Sequence, residues 1–389
     1  MNQDQLLSFL WDLAGGQRWF PGRAGTPLGL KLGDCVGVDD AQLRPALLEV
    51  GFPDGHSDEY LIPLLLRDGK EPVDACDEGG ILLEALHRRL PGFEALREVP
   101  SGLPARRFSG EQSNTTVFFG QALLAKVFRR IERGVNLDVE VHEVLAGTGL
   151  AAELYGRWRV NGADYAVFLE ALHQPTDGYV LACRYAKEGR DFSSHAWALG
   201  DTLNRMHAVL AARLPTGTIS GAQLAAACRQ RFTAVVAEVE QVAPFAAAAS
   251  SVFETVAAAI LPAQRIHGDC HLGQAMLTQD RWVYVDFEGE PLKPLAERRL
   301  PDSPLRDVAG MLRSFGYARA EGEADEDWLL ACRRAFLEGY GLDPNTPGVA
   351  LAAYETDKAG YEVTYEARYR PNLMPVPLDF LASLSKEKH

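Results

Sequence analysis

Near the N-terminus Leu6, Leu7, Leu10 and Leu13 recur at three- and four-residue intervals, a period that predicts an amphipathic helix stopped by Gly15-Gly16. The pattern then changes. Apolar runs near 43–50 and 60–66 predict strands, and a helix is expected near 81–90. From about 99 to 172 the periods are short and strand-like at 106–108, 117–119 and 123–128, with a helix at 136–145 and a closing apolar strand at 168–172. Beyond about 174 the chain is mostly helical. The exception is 265–291, where 275–277 and 282–285 read as strands joined by the turn Thr278-Gln279-Asp280-Arg281. The reading is an α+β chain in three parts: a cap at 1–95, an antiparallel-sheet lobe at 96–173 and a helical lobe at 174–389.

Composition narrows the function classes. The 389 residues are 47% hydrophobic and 24% charged, an ordinary globular balance. Net charge is 39 minus 53, or −14, with acids and bases interspersed, so no basic block offers itself to a nucleic acid. Six scattered cysteines form no C-x-x-C pair, which argues against a disulfide framework or a zinc site and for a reducing compartment. The start MNQDQLLSFLWDLAGG lacks a signal-peptide pattern, and the Ala-rich stretch 222–261 is broken by Arg229, Arg231, Glu238 and Glu240. A cytoplasmic protein without a membrane partner is expected, and either a monomer or a dimer fits.

The candidate chemistry sits in RIHGDCHLGQAMLTQDRWVYVDFEGEP, residues 265–291. His267 precedes Asp269 by two, Gln274 follows it by five, and the strand ending at Val285 delivers Asp286-Phe287-Glu288. This is a phosphoryl-transfer layout, with Gln in place of the usual Asn. Such a site needs positioning and charge neutralisation more than covalent help. Asp269 would orient the attacking hydroxyl and take its proton late. Asp286 and the Gln274 carbonyl would hold Mg²⁺, a hard ion that prefers oxygen ligands. The hairpin brings the two acids together.

Upstream, the turn Ser109-Gly110-Glu111-Gln112-Ser113-Asn114-Thr115-Thr116 offers N–H groups and hydroxyls to nucleotide phosphates, with Gln112, Ser113, Asn114 and Thr115 as the candidates. Lys126 lies among apolar strand residues, where an ammonium needs an anion. Glu140 is the first choice for its fixing partner and Glu143 the competitor. Glu170 and Leu172 fall in the hinge expected to line the adenine pocket.

Downstream, Ser303 and Pro304 open a helix whose Asp307 faces an apolar stripe and is expected to hold the backbone or imidazole of the His267 loop. His207 reads as a helix-surface or core histidine. The tail from Tyr354 to Pro371 alternates rings and charges, a face suited to a sugar; a solvated face laced with ion pairs fits nearly as well. Glu288, Arg306, Glu362, Tyr365, Glu366 and Arg368 are the acceptor candidates.

Taken together, Glu111-Gln112-Ser113-Asn114-Thr115, Lys126 with Gly134-Val135-Asn136, HGDCHLGQ, DFEGEP, SPLRDVAGMLRSFGYA and YEARYRPNLMPVPL resemble the maltokinases. These are bacterial sugar kinases with an aminoglycoside-phosphotransferase-like fold. RWFPGR is similar to the cap turn of that family, with Pro21 and Arg23 where it more often has Gly and Lys. The resemblance implies a bilobal protein-kinase-like fold with an N-terminal cap. It also implies ATP- and Mg²⁺-dependent phosphorylation of maltose to maltose 1-phosphate, in an α-glucan pathway. By the same resemblance Asp269 is the base, Gln274 and Asp286 are metal ligands, and Lys126 is a phosphate contact paired with Glu140. Related kinases with this core phosphorylate aminosugars, so glucosamine is the alternative acceptor.

Overall fold

The computed structural model describes every residue except 1, 18, 21–23, 111–112, 291–292, 294, 347 and 386–389. Most of the basic turn 18–23 and Gln112 of the polar turn therefore lie outside the described residues. The chain divides into two units, Met1–His173 and Gln174–His389.

The first unit begins with the helix Gln3–Gly15, closed at its start by a reciprocal cap between Asn2 and Gln5 and ended at Gly16. Ala41–Gly51 and Ser57–Arg67 then pair as a long antiparallel hairpin, with Ala46 opposite Ile62 and Leu48 opposite Tyr60. Thr26–Leu32 and Arg130–Ile131 flank it in a six-stranded sheet. A second sheet runs in the order Phe93–Ala95, Leu154–Val160, Ala163–Glu170, Leu123–Val127, Thr115–Phe119, Ala105–Arg107. Two short strands cross the boundary expected near residue 95, one in each direction, because a single apolar core serves both segments. In it Leu43, Leu61 and Leu82 cluster with Val117, Val127 and Phe168.

A buried cation ties these segments together. Arg129 is fully buried, donating to Asp74 Oδ2 at 2.7 Å, Thr115 Oγ1 at 2.7 Å and Leu61 O at 3.2 Å, with its guanidinium 4.5 Å from the Trp19 ring. A charge taken out of water is tolerated only when its donors are satisfied in this way.

The second unit is helical around a small sheet of Thr176–Asp177, Ala275–Leu277 and Trp282–Tyr284. Its helices Ser193–Arg213 and Glu326–Tyr340 cross at glycines: a Cβ on Gly200 would lie 2.2 Å from Phe336 O, and one on Gly339 2.1 Å from Trp197 O. Leu305–Gly322 begins one residue later than Ser303 suggests, with Pro304 at the cap position and Ser303 buried. No helix among the described residues is long and apolar enough to cross a membrane.

Candidate active site

The hairpin of the second unit follows its sequence pattern. Ala275 lies opposite Tyr284 and Leu277 opposite Trp282, and the Thr278 hydroxyl bonds the Arg281 backbone to close the turn. The ribbon returns Asp286 to Gln274, whose Nε2 lies 3.3 Å from Asp286 Oδ2. Asp286 has φ +64°, a left-handed conformation that costs roughly 1–3 kcal/mol outside glycine but that Asp tolerates better than most. That bend buries Phe287 against the His267 ring, 5.1 Å between centroids, while Asp286 stays exposed. Asp286 and Glu288 each bring a carboxylate oxygen within 4.8 Å of the other.

The loop carrying Asp269 is held by Asp307, as its apolar surroundings demanded. Asp307 is 1% exposed and accepts the His267 N–H at 2.7 Å and the Gly268 N–H at 2.9 Å. His207 Nε2 completes the set at 2.9 Å, and its Nδ1 lies 2.8 Å from the Tyr340 hydroxyl. Burial alone would raise the Asp307 pKa; the His207 hydrogen bond and the nearby imidazoles and amide hold it below the ordinary carboxylate value. His207 is thus a buried support of the loop that carries Asp269, a position that helical periodicity cannot reveal. His267 is a second strut: with Nε2–H donating to Val285 O at 3.0 Å, its Nδ1 faces the Asp269 N–H at 3.4 Å. The helix Leu305–Gly322 presses so near that a Cβ on Gly310 would lie 2.2 Å from Cys270 O. Burial pushes the Cys270 thiol well above its usual range, which leaves it inert.

Asp269 itself is 22% exposed, with Oδ1 3.5 Å from Lys358 Nζ. Lys358 also lies 3.1 Å from Glu290 Oε1, and Glu290 takes Lys293 at 3.0 Å and Arg306 at 3.3 Å. Burial disfavours both charges. Yet the Glu290 and Asp269 charges keep Lys358 protonated, above the usual lysine range, while Lys358, Arg306 and Lys293 keep Glu290 well below its own. Sequence reasoning did not single out Lys358 or Glu290: Glu290 lies within DFEGEP and Lys358 within the tail, but nothing local marks them as partners across the fold. They line a cavity of about 420 Å³ together with Asp269, Glu297, Arg306 and Tyr361. The Glu297 side chain makes no hydrogen bond or ion pair among the described residues.

Several tail residues expected at the acceptor are engaged elsewhere. Glu362 is buried and receives Arg313 at 2.7 Å and 3.0 Å. Glu366, also buried, accepts from Tyr317 at 3.0 Å and Arg370 at 2.6 Å. Arg368 pairs with Glu238 at 2.7 Å and 2.8 Å. Tyr365 lies between the Tyr361 ring, on which it stacks, and the tilted Tyr369 ring. None of these four lines the cavity among its described residues. The helix Val349–Tyr369 turns the other face, with Asp357, Lys358 and Tyr361, toward it.

In the first unit Lys126 lies on Leu123–Val127, and Asp138 is its close partner, Nζ to Oδ2 2.8 Å. The sequence pattern puts Glu140 first and does not offer Asp138. Asn136 caps the helix Leu137–Leu145, so Asp138 falls in the buried first turn while Glu140 is half-buried one step round. Burial would raise the Asp138 pKa, but Lys126 and His142 hold it far below the ordinary value. Glu143, the competitor, pairs with Arg157. In the polar turn, Asn114 Oδ1 accepts the Arg129 N–H at 3.3 Å, Thr115 Oγ1 accepts from the Arg129 side chain, and Ser113 is exposed. Glu170 Oε2 accepts the Glu153 N–H at 3.2 Å, and Leu172 packs against the core.

No family model matches the chain. It is similar to two curated glucosamine kinases. One, from Streptacidiphilus jiangxiensis, is 32% identical over 159 residues, 36% of each chain. The other, from Mycolicibacterium smegmatis, is 25% identical over 319 residues, 72% of this chain and 80% of the relative. Among solved structures, a glucosamine kinase in complex with glucosamine, ADP and inorganic phosphate superposes with TM-score 0.73 at 23% identity, covering 96% of this chain and 98% of the other. A second crystal form of a glucosamine kinase gives 0.76 at 22% identity, over 96% and 99%. The chain has the protein-kinase-like α+β fold of these enzymes. Its second unit carries Asp269 and Asp286, the acids that the sequence pattern expects at a phosphoryl-transfer site.

Proposed function

We propose that this ATP-dependent phosphotransferase acts on an aminosugar, transferring the γ-phosphoryl group to a hydroxyl of glucosamine. The similarity to glucosamine kinases over most of the chain supports this acceptor rather than maltose. The observation that carries the reading is the disposition of Asp269. Lys358 holds its Oδ1, its Oδ2 has no hydrogen bond among the described residues, and the carboxylate lines a cavity whose wall also includes the exposed acid Glu297.

Asp269 orients the acceptor hydroxyl through Oδ2 and takes its proton as the bond to phosphorus forms. Lys358 fixes the rotamer of that carboxylate from the opposite oxygen, and Asp307, His207 and His267 fix the loop. Lys126, set by Asp138, contacts the nucleotide phosphates. Gln274, Asp286 and Glu288 are hard oxygen donors and fit Mg²⁺, which when bound neutralises charge on the phosphates. Glu297 meets the acceptor ammonium.

A neutral sugar such as maltose is the second reading. It is favoured by the pairing of the other cavity acids: Asp269 with Lys358, Glu290 with three cations, and Asp357 with Arg231 at 2.8 Å. ADP release over a panel of glucosamine, glucose, maltose and water separates the two. Signal with glucosamine well above water supports the aminosugar; signal with maltose alone replaces it. Glu297→Gln is expected to raise KM for glucosamine by about tenfold, the worth of one charge-assisted contact, and an unchanged KM removes Glu297 from the site.

A further inference from the structure

The turn after Asp286 brings another acid, Glu290, to the loop of Asp269. Gly289 takes φ +74° and Gly268 φ +86°, left-handed values that favour glycine, and a Cβ on Gly268 would lie 3.3 Å from the Gly289 Cα. The two backbones approach closely there. From Glu290 a row of alternating charges runs in both directions. Its Oε2 meets Lys293 at 3.0 Å and Arg306 at 3.3 Å, and Arg306 meets Asp302 at 3.2 Å. Its Oε1 meets Lys358 at 3.1 Å, and Lys358 meets Asp269 at 3.5 Å.

Lys358 thus stands between two acids that do not hold it equally. Glu290 is the nearer and the more buried, its side chain 7% exposed against 22% for Asp269. Buried pairs are screened less than exposed ones, so the ammonium is anchored at Glu290 and only leans on Asp269. Burial alone would lower the Lys358 pKa; the Glu290 charge raises it most, the Asp269 charge next and Glu362 after them, to above the usual lysine range. We propose that Glu290 is a positioning residue for the reaction: it anchors Lys358 and, through that ammonium, sets the orientation of the Asp269 carboxylate. This rests on the reading of Asp269 as the acid that faces the acceptor. Without the anchor, Lys358 closes on Asp269 and draws the carboxylate away from the hydroxyl.

Glu290→Gln keeps the shape and removes the charge. It is expected to lower kcat about tenfold with KM for ATP unchanged, and Lys358→Met to cost about as much. The double variant is expected to fall no more than about threefold below either, because one residue acts through the other. If Glu290 mattered only through Arg306 and Lys293, the two losses would multiply, and multiplied losses overturn the inference. A second readout requires no turnover: the rate at which acetic anhydride acetylates Lys358 in the full-length protein, followed by peptide mass spectrometry, reports the neutral fraction of the amine. That rate is expected to rise about tenfold in Glu290→Gln and by less in Asp269→Asn. No rise in Glu290→Gln, or a larger rise in Asp269→Asn, overturns the anchor. Near-native kcat in Asp269→Asn instead overturns the reading of Asp269, and the acetylation rates then judge the anchor by themselves.

Discussion

Asp307 offers a sharp perturbation, because three donors converge on one carboxylate that is 1% exposed: the amides of His267 at 2.7 Å and Gly268 at 2.9 Å, and His207 Nε2 at 2.9 Å. Asp307→Asn keeps the volume but turns one acceptor oxygen into an NH₂ group. The amide oxygen then serves one side, and at least one buried N–H faces another donor. A buried donor left unsatisfied costs about 1–3 kcal/mol, and a lost hydrogen bond to a charged group about 1.5–3 kcal/mol. A stability loss of about 2.5–6 kcal/mol is expected from those two effects together. The loop that carries Asp269 shifts with it, and a displacement near 1 Å lowers kcat by roughly 100-fold. The sign with pH also follows. The folded-state pKa of Asp307 is depressed, so its contribution is complete above the unfolded carboxylate value near about 3.9 and is lost as pH falls through the lower folded value. Urea unfolding followed by circular dichroism, at neutral pH and through the acid range, measures the gap between wild type and variant, and ADP release measures turnover. Equal stability at neutral pH with kcat within about twofold of wild type would refute the role given to Asp307.

Other substitutions test separate parts of the account. Asp286→Ala is expected to raise the Mg²⁺ concentration needed for half-maximal rate at least about tenfold or to abolish turnover, and an unchanged Mg²⁺ titration counts against the metal assignment. Asp74→Ala leaves the Arg129 charge buried without its carboxylate and is expected to cost about 3–5 kcal/mol in denaturant unfolding; a loss no larger than that of a surface substitution contradicts the tie described for Arg129. Arg368→Ala is expected to leave acceptor KM unchanged, since its partner is Glu238 outside the cavity, and a raised KM would restore it to the acceptor site.

The ribbon that carries Gln274 and Asp286 was legible because strand period and turn chemistry are local. Val-Tyr-Val after Thr-Gln-Asp-Arg leaves few options, and Asp286 must then return beside Gln274. Asp307 was legible for a different reason: an acid on an apolar stripe must be paid for by donors. Its partner His207, about one hundred residues earlier in the chain, carries no such mark, since a histidine on a buried helix face looks alike whether it supports a loop or only fills space. The tail shows the limit most clearly. Its three- and four-residue rhythm establishes one helix, but both faces carry rings and charges, and only packing decides that Glu362 and Glu366 turn to Arg313, Tyr317 and Arg370 while Lys358 turns to Asp269. Asp138 beside Lys126 was not legible on the same ground: the sequence offered Glu140 and Glu143, and it is a cap at Asn136 that sets which first-turn acid faces the sheet.

The most direct measurement is the turnover of Asp269→Asn beside its nucleotide affinity. With the fold intact and ATP bound as in the wild type, the account expects glucosamine-dependent ADP release to fall by at least about 100-fold, the scale of general-base assistance. Near-native release with the same acceptor would mean that another group receives the hydroxyl proton, and the assignment of this cavity as the acceptor site would be contradicted.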